Sequence, residues 1–117
     1  MKAKMESGGL AVGMIVRLMR TVEIAAIAKS AGFDCLYIDL EHCSFSLETV
    51  SQISLTAAAL GVTPLVRVAG LDPADISRTL EAGAQGIIVP HLENRAQAVD
   101  IVEAALYPPR GDRKSVV

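Results

Sequence analysis

A short apolar run followed by a helical pattern recurs four times along this chain, and that alternation constrains the fold more than any other feature. Leu10–Arg17 reads as a strand. Thr21 is placed as an N-cap with Glu23 in the first turn, Ile24, Ile27 and Ala28 form an apolar stripe, and Gly32 supplies the stop. Cys35–Asp39 is a second, buried strand. Ser46 caps a helix in which Val50, Ile53, Ala57 and Leu60 share a face, and Gly61 ends it. Pro64–Val68 is the third strand. Asp72-Pro73, with Asp75 three residues after the cap, marks a sharp helix start; Ile76 and Leu80 face the core and Gly83 closes the helix. Gly86–Val89, stopped by Pro90, is the fourth strand. Asn94 then caps a helix with Ala98, Ile101, Val102 and Ala105 inward, ended by Tyr107-Pro108-Pro109. Alternation of this kind predicts an α/β fold with a parallel sheet and right-handed crossovers.

Length and composition narrow the class. With 117 residues, 51% of them hydrophobic, the chain is read as one domain over 1–117, its first nine residues a loose polar leader. Eleven Lys and Arg against thirteen Asp and Glu leave no basic surface for a nucleic acid partner. Aromatics at 3% give no stacking platform, and charge at 21% beside this much aliphatic content argues against disorder. Cys35 and Cys43 form no C-x-x-C pair, so neither a zinc knuckle nor a disulfide framework is indicated, and a cytoplasmic location is expected. Lys2 and Lys4 precede an apolar run, but Glu6 and the absence of an A-x-A-like site spoil a signal peptide. The run is also too short to span a membrane.

In parallel α/β folds functional groups gather at the carboxyl ends of the strands. Here those ends carry Arg17, then Asp39-Leu40-Glu41-His42, then Arg67, then Pro90-His91. Two carboxylates and an imidazole within four residues suit a general base, because a carboxylate fixes the orientation and tautomer of His42. Arg67 on a buried strand needs an anion, and two readings stand side by side: a substrate carboxylate, or an internal salt bridge to Asp39 or Glu41. His91 reads as a solvent-facing residue with a place lining the site as its alternative, Cys43 as a neighbour of His42 that points away from it, and Cys35 as core. Arg110-Gly111-Asp112 is a coincidental tripeptide.

Four ordered motifs then carry a resemblance. Ala31-Gly32-Phe33-Asp34 leading to Tyr37-Ile38-Asp39-Leu40-Glu41-His42, Pro64-Leu65-Val66-Arg67-Val68, Leu80-Glu81-Ala82-Gly83-Ala84-Gln85-Gly86-Ile87-Ile88-Val89-Pro90, and Tyr107-Pro108-Pro109-Arg110-Gly111 resemble the HpcH/HpaI aldolase family. The resemblance implies a partial (β/α)8 TIM barrel of the phosphoenolpyruvate/pyruvate type with about four βα units present. It implies a metal-dependent class II lyase cleaving a 4-hydroxy-2-oxo acid to pyruvate and an aldehyde. By position it makes His42 the acid/base histidine and Arg67 the arginine that binds the pyruvate moiety and steadies its enolate. Glu81 falls where the family often has an aspartate that supports the histidine, with Asp39 and Glu41 as local candidates for that role.

The same resemblance sets further expectations. The family holds its divalent metal (Mg, Mn or Co) through a Glu and an Asp on later strands, which are expected beyond Val117, so no metal ligand is assigned here. Asp112 to Val117 departs from the family pattern, and a barrel needs roughly 250 residues, so this chain is expected to be the N-terminal half of an aldolase and inactive alone. The complete enzyme is expected to be a homo-oligomer acting on a small 2-oxo acid, without nucleic acid or membrane partners. Two alternatives remain: a non-catalytic half-barrel that associates through uncovered strands, and a related lyase acting on a CoA thioester.

Overall fold

The computed structural model describes residues 1–113; residues 114–117, the larger part of the stretch from Asp112 expected to depart from the family pattern, lie outside the described residues. The elements run α1 (Lys2–Glu6), β1 (Gly13–Val16), α2 (Glu23–Ser30), β2 (Cys35–Asp39), α3 (Leu47–Ala59), β3 (Thr63–Arg67), α4 (Pro73–Glu81), β4 (Gly86–Ile88) and α5 (Arg95–Ala105). Four strands form one sheet in the order β1-β2-β3-β4, every pair parallel. A parallel pair needs a crossover, and each is supplied by the helix that intervenes in sequence.

The side-chain period of two sorts each strand onto two faces. Met14, Val16, Leu36, Ile38 and Val66 pack with Ile24, Ala25 and Ala28 of α2 and Val50, Ile53 and Ala57 of α3 in one core cluster. Val68, Ile87 and Val89 pack with Ile76 of α4 and Ile101 and Ala104 of α5 in a second. Alternate residues, among them Ile15, Tyr37, Leu65 and Ile88, lie on the face that carries no helix, and Ile15 there is 64% exposed. Helices on one side only, over strands in consecutive order, are the arrangement of successive βα units of a (β/α)8 barrel.

Local signals held where a side chain could act on them directly. Ser46, Asp72 and Asn94 each accept a hydrogen bond from a backbone amide of the first helical turn, at Thr49, Ala74 and Gln97. Gly32, Gly61 and Gly83 all have positive φ at helix ends. The differences are local too. Thr21 does not cap α2; its side chain hydrogen-bonds Glu23, and Val22 holds the cap position without a side-chain bond. Ile27, Leu60 and Val102 are exposed, whereas Ala104 is buried, so the buried stripes of α2, α3 and α5 are narrower than the periodicity predicts. β2 has the bounds read from sequence and β3 is shifted by one residue, whereas β1 and β4 are shorter than their apolar runs because ladder pairing, not hydropathy, sets their length.

The leader is not loose. Lys2–Glu6 forms a short helix with no buried residue, tied to the sheet by Lys4 Nζ, which donates to both Asp34 carboxylate oxygens at 2.9 and 2.8 Å. Asp34 also accepts from the Val12 amide, so one carboxylate fixes both the leader and the entry to β1, and these contacts hold it below its ordinary pKa. No helix among the described residues is long and apolar enough to cross a membrane.

Candidate active site

Register brings the first two site residues together. Asp39 and Arg67 are Cα partners at the last rung of the β2–β3 ladder, so their side chains leave the same face of the sheet at its carboxyl end. The result is a two-point ion pair: Arg67 Nε donates to Asp39 Oδ1 at 3.0 Å and Nη2 to Oδ2 at 2.7 Å. Val16 pairs with Ile38, which puts Arg17 beside Asp39 from the other side, its Nε 3.2 Å from Oδ2. The amides of Glu41 and His42 turn back to donate to Oδ1 at 3.0 and 3.3 Å, a side-chain-built turn of the kind Asp favours. Asp39 is fully buried. The Arg67 hydrogen bonds, helped by these amides and opposed by burial, bring its carboxyl down to about 2.

That turn directs Glu41 back over the cluster. Its Oε2 lies 2.7 Å from Arg67 Nη1, and Oε1 is 2.6 Å from His91 Nε2. Oε2 is buried and receives no aligned hydrogen bond, so its contact with the guanidinium is coulombic. His42 stands at the edge with Nε2 3.6 Å from Glu41 Oε2 and its side chain 56% exposed. Tyr37, one turn of the pleat below, lies under the Arg67 guanidinium at 5.7 Å. The internal pairing of Arg67 is therefore present, yet a guanidinium has five N–H donors and two donate to Asp39, leaving donors for a ligand.

His91 is solvent-facing as read from sequence, its side chain 79% exposed, and from that position just after β4 its Nε2 also reaches Glu41. Its φ of 58° is a left-handed conformation that a non-glycine residue adopts at a cost. The sole sequence signal was its place directly after the proline that stops β4. Arg20 was not singled out; it donates to the Ser44 carbonyl and hydroxyl at 2.9 and 3.0 Å and lies 5.2 Å over the Phe45 ring. Glu81 does not join the cluster. It is exposed at the end of α4 and lines an outer groove with Leu47, Glu48, Ser51, Arg78 and Ala82, because the helices lie on the far side of the sheet from Asp39. Cys35 is buried, which raises its thiol pKa, and Cys43 is half-buried; both are free thiols.

A hard divalent cation takes about six oxygen ligands. Asp39 has both oxygens occupied by guanidinium and amide donors, and Glu41 faces Arg67 and His91, which leaves one unaligned carboxylate oxygen. Among the described residues no group of three or more His, Cys, Asp or Glu side chains is placed to hold a metal. The residues present do not fit a metal centre.

Comparison with known proteins places this geometry. The family model described as HpcH/HpaI aldolase/citrate lyase matches residues 15–117. The chain is 39% identical over 113 residues to the 4-hydroxy-4-methyl-2-oxoglutarate aldolase tasA of Hapsidospora irregularis, covering 94% of this chain and 41% of that protein. It is 35% identical over 112 residues to the 4-hydroxy-2-oxo-heptane-1,7-dioate aldolase of Salmonella arizonae, covering 96% and 42%. The crystal structure of an HpcH/HpaI aldolase from Desulfitobacterium hafniense DCB-2 superposes with a TM-score of 0.92 at 30% identity, over 98% of this chain and 44% of that one. The chain thus spans about two fifths of the length of the relatives it matches, and its sheet is part of a TIM-barrel-type fold. It belongs to the HpcH/HpaI aldolase/citrate lyase family.

Proposed function

We propose that this chain carries the pyruvate-binding and proton-transfer side of a carbon–carbon lyase that cleaves 4-hydroxy-2-oxo acids to pyruvate and a carbonyl fragment. The observation that carries the reading is the buried Asp39–Arg67 pair with Glu41 above it and a half-exposed His42 at its rim. The relatives named above act on 4-hydroxy-2-oxo acids, which supports the substrate class. In the cleavage direction His42 takes the proton from the C4 hydroxyl, the C3–C4 bond breaks, and its electron pair moves onto the C2 carbonyl as an enolate. Arg67, fixed by Asp39 and Glu41, presents its remaining donors to the carboxylate and the developing oxyanion. The His42 imidazolium then returns its proton to C3 of the enolate, which completes pyruvate and restores the neutral base. Asp39 is a positioning residue in this scheme, and Glu81 has no part in it. Any divalent metal would take its ligands from outside the described residues, and no step above is routed through one.

Enolisation has a direct readout. Pyruvate in D2O loses its methyl protons to solvent when a base and an oxyanion site act on it, so proton NMR of the methyl signal measures the reaction. Added Mg²⁺, Mn²⁺ or Co²⁺ is varied alongside. The full chain should bind pyruvate and exchange it above the buffer rate. His42→Ala should cut exchange by about 10²-fold, and Arg67→Gln should abolish binding. Absence of both binding and exchange, or exchange indifferent to His42→Ala, overturns the reading.

A further inference from the structure

The geometry points to His91 as a positioning residue: its hydrogen bond to Glu41 holds that carboxylate in the orientation that serves both Arg67 and His42. The inference rests on the proposed function above and goes beyond it, because it adds a group from the end of β4 to a site otherwise built from the ends of β1, β2 and β3.

Topology is the first argument. Glu41 follows β2 by two residues, His91 follows β4 by three, and β3, which lies between those strands, ends at Arg67. The 2.6 Å contact between His91 Nε2 and Glu41 Oε1 joins residues fifty apart in sequence and so spans the strand end that carries the guanidinium. An ionised carboxylate only accepts, which makes Nε2–H the donor.

The other contacts of Glu41 are the second. Its side chain is nine-tenths buried, and Oε2 lies 2.7 Å from Arg67 Nη1 and 3.6 Å from His42 Nε2 without receiving an aligned hydrogen bond. Charge alone attracts but does not set direction. Among the described contacts the hydrogen bond from His91 is the one that fixes the carboxylate at Oε1, and with Oε1 held the position of Oε2 follows. Glu41 then faces the imidazolium that His42 becomes on taking a proton, and steadies the guanidinium that receives the ligand.

Backbone strain is the third. At a φ of 58° His91 sits where glycine is at ease and histidine is not, and its side chain, 79% exposed, gains little burial in return. A turn alone is better served by glycine, so what this strained position keeps is the imidazole.

The test follows methyl-proton exchange of pyruvate in D2O by the full chain, with two variants. His91→Gly relieves the strain and removes the donor; His91→Gln places an amide N–H where Nε2–H was. His91→Gly should exchange about tenfold more slowly at saturating pyruvate, the equivalent of one hydrogen bond to a charged group. Its pyruvate dissociation constant should stay within about twofold, because Asp39 still holds Arg67 from two points. Its thermal unfolding midpoint should be no lower than that of the unmodified chain, which separates lost positioning from lost structure. His91→Gln should recover most of the rate, and the ring-nitrogen NMR signals of His42 should move in His91→Gly and return in His91→Gln. Exchange indifferent to His91→Gly, a loss that His91→Gln does not recover, a rate that falls only together with the midpoint, or His42 signals that stay in place each overturn the role of His91 alone. An unmodified chain that neither binds nor exchanges pyruvate overturns the proposed function, and this inference with it.

Discussion

Asp39 is the residue on which the site converges. It accepts from the Arg67 guanidinium and two backbone amides and pairs with Arg17 while fully buried, so removing it strands several donors at once. Asp39→Ala should destabilise the fold by about 3 kcal/mol in urea unfolding; a loss below about 1 kcal/mol would mark the pair as no stronger than a surface one. Its titration has a defined sign. The folded carboxyl is at about 2 against an ordinary 3.8, so its contribution is complete above the ordinary value and is lost as pH falls through about 2. That contribution is on the order of 2 kcal/mol. Unfolding midpoints at pH 5 and pH 2 should differ by more in the unmodified chain than in Asp39→Asn. Asp39, Glu41, His42 and Arg67 were legible from sequence because strand ends and a D-x-E-H run announce themselves. Arg20 was not, since an arginine held by a loop carbonyl depends on where other elements bring the chain. Glu81 lies apart from the cluster in this chain, and helix position in sequence does not say which side of the sheet a helix covers.

At the scale of elements, boundaries written into single side chains were readable and boundaries set by pairing were not. Asn94 illustrates the first kind: its side chain caps α5, and Asn94→Ala should cost about 1 kcal/mol by thermal or urea unfolding. Gly83 illustrates a glycine required twice over. Its φ is +110°, and an added Cβ would come within 2.8 Å of Leu55 Cδ2, whereas Gly32 at φ +84° faces open space. Gly83→Ala should therefore cost more than Gly32→Ala, about 2 against about 1 kcal/mol. Similar losses at the two positions would show that Leu55 moves aside freely. The exposed Ile27 and Val102 belong to the second kind: the 3.6-residue period gave a face, but which edge of it is covered depends on the neighbouring helix.

For the whole molecule, the sheet's two faces should answer differently to the same substitution. Ile38, fully buried against the helices, and Ile15, 64% exposed on the opposite face, lie on adjacent strands. Ile38→Ala should cost about 3 kcal/mol, and Ile15→Ala under about 1 kcal/mol; comparable losses would mean that the helix-free face is packed in solution. The strand order β1-β2-β3-β4 has a further consequence, for synthesis. Each new strand pairs with the one completed just before it, so no partner has to be awaited from downstream. A nascent chain can thus add its units in the order in which they leave the ribosome, with loop closures short and contacts local. The Asp39–Arg67 contact comes into being as soon as the third strand docks, so this ion pair can be assembled before the fourth strand has emerged.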